Sequence, residues 1–182
     1  SSWGYGGVPD ATTHQIFLQM AFQGQTFFQA SGDGDAWVNP IWQPSDDTYI
    51  TVVGGTTLSM NGTGGSYSSE TVWNWGDLGS DNAWPPNGDG YWGSGGGVST
   101  YYTIPSWQTN INMPARGGSA TMRNIPDVAL TADNVFVVYS GGSEGAFGGT
   151  SCAAPLWAGF MALVNQQATN NGHAPIGFLN PA

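Results

Sequence analysis

Apolar residues in this chain come in short blocks, and the blocks change period along its length. Ser1 to Gly7 reads as a strand end opening into a glycine turn. Residues 10–23 carry Ile16, Leu18, Met20, Ala21 and Phe22, with Thr12 or Thr13 as the capping residue and Gly24 as a stop, and predict a helix. Thr26-Phe27-Phe28-Gln29-Ala30 is too short for a helix and predicts a strand that runs into the loop Ser31-Gly32-Asp33-Gly34-Asp35. Tyr49-Ile50-Thr51-Val52-Val53 predicts a second strand, ended by Gly54-Gly55. These spacings suggest a parallel sheet with crossover helices.

From Leu58 to Trp107 the chain becomes rich in Gly, Ser, Asn and Trp and reads as a long loop interrupted by one strand at residues 69–74. Ile125-Pro126-Asp127-Val128-Ala129-Leu130 predicts a further strand, and residues 135–139 pair with Ala146-Phe147 as a hairpin around Gly141-Gly142. The last element is a helix from Ser151 to about residue 169, closed by Asn170-Asn171-Gly172. Ala153, Ala154, Leu156, Trp157, Phe160, Met161, Leu163 and Val164 make it apolar on nearly every side, which predicts a buried helix. Pro155 is placed in its first turn, where a missing N–H is tolerated.

Composition narrows the function. Hydrophobic residues make up 40% of the 182 positions, enough for one folded domain and too many for a disordered segment. Arg116 and Arg123 are the only basic side chains apart from two histidines, and the formal net charge is -10. Nucleic acid and anionic membrane surfaces are therefore excluded as partners, since both need clustered cations. With almost no cations there are few ion pairs to lose in acid, so the composition suits low pH. The single cysteine, Cys152, excludes an internal disulfide framework. No apolar run is long enough to span a bilayer. The chain opens on Ser1-Ser2-Trp3-Gly4 without a methionine and reads as a piece of something longer.

Candidate chemistry gathers at Gly148-Gly149-Thr150-Ser151, where a glycine pair delivers a serine to the N-terminus of a helix. Unpaired N–H groups there suit an oxyanion, so Ser151 is a candidate nucleophile; it is equally a good capping residue. The small residues Ser94-Gly95-Gly96-Gly97 admit close approach of another backbone, such as an extended peptide, or make a flexible turn. Trp73, Trp75, Trp84 and Trp92 in the long loop could alternatively form a stacking platform for a glycan or peptide.

Taken in order, Ser2-Trp3-Gly4, Ala30-Ser31-Gly32-Asp33, Val52-Val53-Gly54-Gly55-Thr56-Thr57-Leu58, Glu70-Thr71-Val72-Trp73-Asn74, Ser94-Gly95-Gly96-Gly97-Val98-Ser99, Pro105-Ser106-Trp107-Gln108, Arg123-Asn124-Ile125-Pro126-Asp127-Val128 and Gly148-Gly149-Thr150-Ser151 resemble the sedolisins, serine-carboxyl peptidases of subtilisin-like fold. The resemblance implies an α/β fold with a mostly parallel sheet flanked by helices, incomplete at both ends, with residues 1–182 forming part of a peptidase catalytic domain. It implies Ser151 as nucleophile and Asp33 as the oxyanion-hole acid, with Gly149 and Thr150 supporting that loop. Ser94, Gly95, Gly96 and Gly97 would line the cleft and pair with substrate. It further implies endopeptidase or tripeptidyl-peptidase activity in acid on peptides or acid-denatured proteins, secretion or an acidic lysosome-like compartment, a propeptide or other segment of the same enzyme as partner, and a structural calcium.

The chain departs from that pattern in two places. The family's base is a Glu with an Asp four residues on, upstream of the Ser-Trp-Gly strand; here Glu70 and Glu144 are the only glutamates and neither has that partner. The calcium loop of the family lies beyond residue 182, so ligands for the ion are not expected in this chain. The 182 residues alone are expected to hold a nucleophile and an oxyanion acid without a base, and to be inactive by themselves. The alternative to a peptidase is a non-catalytic relative that kept the fold, or the tryptophan-rich binding module.

Overall fold

The computed structural model describes residues 1–37, 41–77 and 90–180. The first helix, α1 (Ala11–Phe22), is capped by Asp10, whose carboxylate accepts from the Thr13 N–H at 2.7 Å and the Thr13 hydroxyl at 2.9 Å. The cap therefore lies two or three residues earlier than Thr12 or Thr13, because Asp10 sits three residues before a free N–H. Two short strands follow, β1 (Phe28–Ala30) and β2 (Gly34–Ala36). Strand β3 (Thr51–Met60) runs straight through Gly54-Gly55 instead of stopping there. A methyl group at Gly54 would overlap Pro126, and one at Gly55 would overlap Ala132, so these glycines are packing positions within a strand.

The described residues of the stretch read as a long loop are largely sheet, β4 (Tyr67–Val72), β5 (Asn74–Asp77) and β6 (Tyr91–Thr103), and residues 78–89 of it lie outside the described residues. The glycines of β6 lie where neighbouring backbones come closest. A Cβ at Gly95 would stand 2.5 Å from the Ser31 carbonyl oxygen, and one at Gly96 would stand 2.8 Å from that of Ile125. Composition suggested a loop; close packing made a strand. Beyond two 3₁₀ turns at Ser106–Gln108 and Met113–Arg116 come β7 (Met122–Ile125), β8 (Val128–Thr131), the hairpin β9 (Val135–Tyr139) and β10 (Ser143–Phe147), and helix α2 (Thr150–Asn170).

The fold is mixed α/β. In the main sheet β1 and β8 both pair with β3 in parallel, and β4 adds to β3 antiparallel. A second sheet joins β2 to β6 in parallel, with β5 and β7 antiparallel on β6. Adjacent residues of β3 point to opposite faces. Val53 packs with Ala30, Trp73, Ala132, Ala153 and Ala154 beneath α2, while Val52 packs with Phe17, Ile50 and Ile125 beneath α1. Both valines are fully buried, each contributing about 1.5–3 kcal/mol of transfer free energy.

Helix α2 is not buried all round. It lays Ala153, Ala154 and Met161 on the sheet and leaves Leu156, Phe160 and Leu163 exposed, because a helix on a sheet can bury only the stripe that faces it. Pro155 is also deeper than the first turn. It stands four residues after Ser151, so the Ser151 carbonyl has no N–H at its usual intrahelical donor.

Candidate active site

Strand β1 ends in Ser31-Gly32-Asp33, and α2 begins beside it. This is the carboxyl end of the parallel strands, where open α/β sheets place their sites. The loop is held on several sides. Ser31 N–H donates to the Val53 carbonyl at 2.9 Å, Gly95 N–H to Gly32 at 2.7 Å and Gly93 N–H to Asp33 at 2.9 Å. The indole N–H of Trp37 reaches the Ser31 carbonyl at 3.2 Å.

Asp33 is joined to the start of α2 by one oxygen. Its Oδ1 accepts the Thr150 N–H at 2.7 Å and the Thr150 hydroxyl at 2.8 Å. The Thr150 hydroxyl oxygen in turn accepts the Gly32 N–H at 3.0 Å, closing a ring that ties the two loops together. Thr150 itself is fully buried. The other oxygen, Oδ2, has no hydrogen-bond partner among the described residues and faces Gly149. A Cβ on Gly149 would stand 3.0 Å from it, and Gly149 has φ +129, a conformation that excludes side chains. Glycine at 149 is thus required twice, by its backbone and by the carboxyl beside it. The Gly149 N–H is fixed on the Ala132 carbonyl at 2.8 Å.

Ser151, next along, is exposed in the first turn of α2. Among the described residues neither its hydroxyl nor its N–H has a hydrogen-bond partner. The first turn of α2 thus carries a hydroxyl and a free N–H at Ser151, and the unengaged carboxyl oxygen of Asp33 faces the Gly149 that precedes it. Cys152 follows, partly buried; burial and then the nearby Asp33 charge push its thiol above the ordinary range, which makes it a poor nucleophile.

The remaining candidates fall elsewhere. Glu70 is engaged by the Thr56 hydroxyl at 2.5 Å, and Glu144 stands exposed on β10. His14 pairs with Asp47 at 2.7 Å on the α1 side, and His173 follows the end of α2. Among the described residues, then, no carboxylate or imidazole hydrogen-bonds to Ser151. Ser94–Gly97, expected to line the cleft, lies inside β6, with Gly95 bonded to Gly32, the Trp37 N–H on the Gly96 carbonyl and Gly97 paired with Ile125, while the Ser94 hydroxyl accepts from Gly55 N–H at 2.8 Å. These residues stand directly beside the Ser31–Asp33 loop. The aromatic platform is also undone: Trp73 is fully buried in the core, and Trp84 lies outside the described residues.

Among the described residues no group of three or more His, Cys, Asp or Glu could hold a metal ion, and no helix is long and apolar enough to cross a membrane. Sequence reading did not join Arg123 to Asp127: Arg123, fully buried, forks onto Asp127 at 3.0 and 2.7 Å, a pair legible from its i, i+4 spacing. Trp75, named for the aromatic platform, is set against Gly148.

No family model matches the chain. Curated relatives do: kumamolisin of a Bacillus strain is 34% identical over 99% of the chain, xanthomonalisin of a Xanthomonas strain 34% over 88%, and sedolisin of a Pseudomonas strain 35% over 86%. The chain spans only 31%, 22% and 27% of those proteins respectively. The solved structure of Pseudomonas sedolisin, a serine-carboxyl proteinase in complex with pseudo-iodotyrostatin, superposes with TM-score 0.71 at 31% identity, covering 92% of this chain and 44% of that one. A psychrophilic protease shares the fold alone, with TM-score 0.55 at 15% identity. Over most of its length the chain is homologous to the sedolisin family, with the corresponding subtilisin-like α/β fold.

Proposed function

We propose that the protein carrying this chain is an acid-active serine-carboxyl peptidase, in which residues 1–182 form the part of the catalytic domain that holds Ser151 and Asp33. The Ser151 hydroxyl attacks the substrate carbonyl and forms an acyl-enzyme, which water then hydrolyses. The oxyanion of each tetrahedral intermediate is received by the Ser151 N–H and by Asp33 Oδ2, which can donate only when it carries a proton. The proton leaving Ser151 goes to a carboxylate base outside these 182 residues. A carboxylate base near its ordinary pKa of about 4 can accept a proton in acid, where an imidazole would already be charged. Both requirements favour low pH.

The observation that carries this reading is the division of labour on Asp33: Oδ1 is anchored twice by Thr150, and Oδ2 is left unengaged beside the nucleophile turn. Ser94–Gly97 lines the cleft beside the substrate, held against the site through the Gly95 N–H on the Gly32 carbonyl. The substrates are peptides or unfolded proteins, and a propeptide of the same enzyme is the expected partner. Secretion or an acidic compartment fits the charge of -10. The residues described here supply no cage for calcium, and no step depends on one. The test is Ser151→Ala in the full-length protein, assayed on a denatured protein at acid pH. Turnover is expected to fall by about 10⁴-fold or more; undiminished turnover would overturn the assignment.

A further inference from the structure

Trp75 is an exposed aromatic residue set against the nucleophile turn, and it is held there by three separate features. First, the register between β5 and β6 shifts between Asn74, opposite Gly93, and Gly76, opposite Trp92, leaving Trp75 at a bulge. Bulges re-aim a side chain and recur beside active sites. Gly76, at φ +74, donates its N–H to the Asn74 side chain at 2.6 Å and completes the bend. Second, the indole N–H of Trp75 donates to Asp133 Oδ1 at 3.0 Å, and Asp133 Oδ2 accepts the Thr57 hydroxyl at 2.9 Å, so the ring is tied to β3 through a carboxylate with both oxygens used. Third, the buried ring of Trp73 meets it edge-on, with centroids 5.2 Å apart.

The ring so fixed lies on Gly148. A Cβ at that position would overlap Cη2 and Cζ2 of Trp75, so the glycine pair before Ser151 serves two neighbours: Gly149 makes room for Asp33, and Gly148 makes room for this indole. Yet Trp75 remains 43% exposed, whereas Trp73, two residues earlier, is fully buried. An indole needed only for packing would be covered like Trp73. One that is immobilised, three residues from the nucleophile in contact terms and still open to solvent, presents a rigid apolar surface to whatever binds at Ser151.

We infer that Trp75 is a specificity-determining wall of the peptide site: its exposed ring receives an apolar or aromatic side chain of a substrate residue flanking the scissile bond, and Asp133 is the positioning residue that holds the ring. The inference rests on the peptidase reading above. It adds a preference that neither Ser151 nor Asp33 can supply, since both address only the carbonyl being cleaved. Removing a large part of an apolar subsite reduces discrimination by about 10- to 100-fold.

The test uses the full-length enzyme and two matched peptide sets, one varying the residue before the scissile bond and one the residue after it, each from glycine to phenylalanine. In Trp75→Ala the ratio of kcat/KM for phenylalanine over glycine is expected to fall about 10- to 100-fold in one of the two sets. Trp75→Phe, which keeps a ring on Gly148 and guards against misfolding, moves the ratio the same way by less. Asp133→Asn, which loosens the tether, blunts the preference while leaving the pH profile in place. A loss equal for all peptides, or an unchanged ratio in both sets, overturns the proposal. Binding of the same peptides to Ser151→Ala, followed by tryptophan fluorescence, reads the wall without turnover. Weaker binding of the phenylalanine peptide after the added Trp75→Ala supports the wall even where the parent enzyme hydrolyses nothing, an outcome that would sink the peptidase reading alone.

Discussion

Asp33 and Asp127 stand in similar sequence settings, each just after a strand, and the fold treats them in opposite ways. Asp127 is saturated. Its Oδ1 accepts Arg123, and its Oδ2 accepts Arg123, the Val52 N–H at 2.8 Å and the Asn180 side chain at 3.2 Å. Asp33 is half-buried, receives one residue's two donors on Oδ1 and keeps Oδ2 unengaged. A carboxylate with both oxygens engaged holds structure together; one with an oxygen to spare can donate a hydrogen bond from it when protonated. The difference between stability and chemistry lies in what is left unsatisfied, not in the residue type.

The contrast can be broken most forcefully at Asp127. Asp127→Ala leaves the buried Arg123 guanidinium without a counter-charge and is expected to cost about 3–5 kcal/mol in urea unfolding. Whatever fraction of that variant remains folded keeps the pH profile of turnover. Asp33→Ala should do the reverse. Its unfolding free energy falls by about 1–3 kcal/mol, from the lost Thr150 bonds, while kcat drops about 10²–10³-fold as an oxyanion donor is removed. If Asp33→Ala unfolds the protein and Asp127→Ala spares it, the division drawn here is wrong.

Asp46 sharpens the comparison from a third position and gives the smallest effect. It is fully buried, its Oδ2 accepts the Ser99 hydroxyl at 2.6 Å and its Oδ1 has no partner. Burial pushes its carboxyl above the ordinary range, against the Ser99 bond and the nearby Arg123 charge. A folded value above the unfolded one means that its stabilising contribution is present below about pH 4 and is lost as pH rises through the folded value. Asp46→Asn keeps an acceptor for Ser99 and removes that dependence. Thermal melts across pH 3 to 7 should therefore find the variant gaining on the parent toward neutral pH; parallel curves would show that burial does not govern this group.

Much of this was legible along the chain. The Gly-Gly-Thr-Ser turn, the strand that ends at Asp33 and the two apolar blocks at Phe28 and Val52 all carry local signals, because turn glycines and short β-branched runs depend on near neighbours in sequence. Two readings failed for the same reason. The glycines of β6 look like a loop until the backbones of Ser31 and Ile125 are set against them, and α2 looks buried until the sheet is seen to cover a single face.

The sequence by itself determined the candidate nucleophile turn and the α/β order of elements, since each is written in contiguous residues whose backbone demands are local, while Asp33 as oxyanion acid came only from the resemblance to the sedolisins. Only the tertiary structure decided which oxygen of Asp33 is anchored and which is left open, which tryptophan is core and which is exposed, and that Ser94–Gly97 lies within a strand. Those outcomes depend on contacts between residues 39 to 118 positions apart, such as Gly55 with Ser94 and Gly32 with Thr150, and no local pattern encodes a partner at that distance.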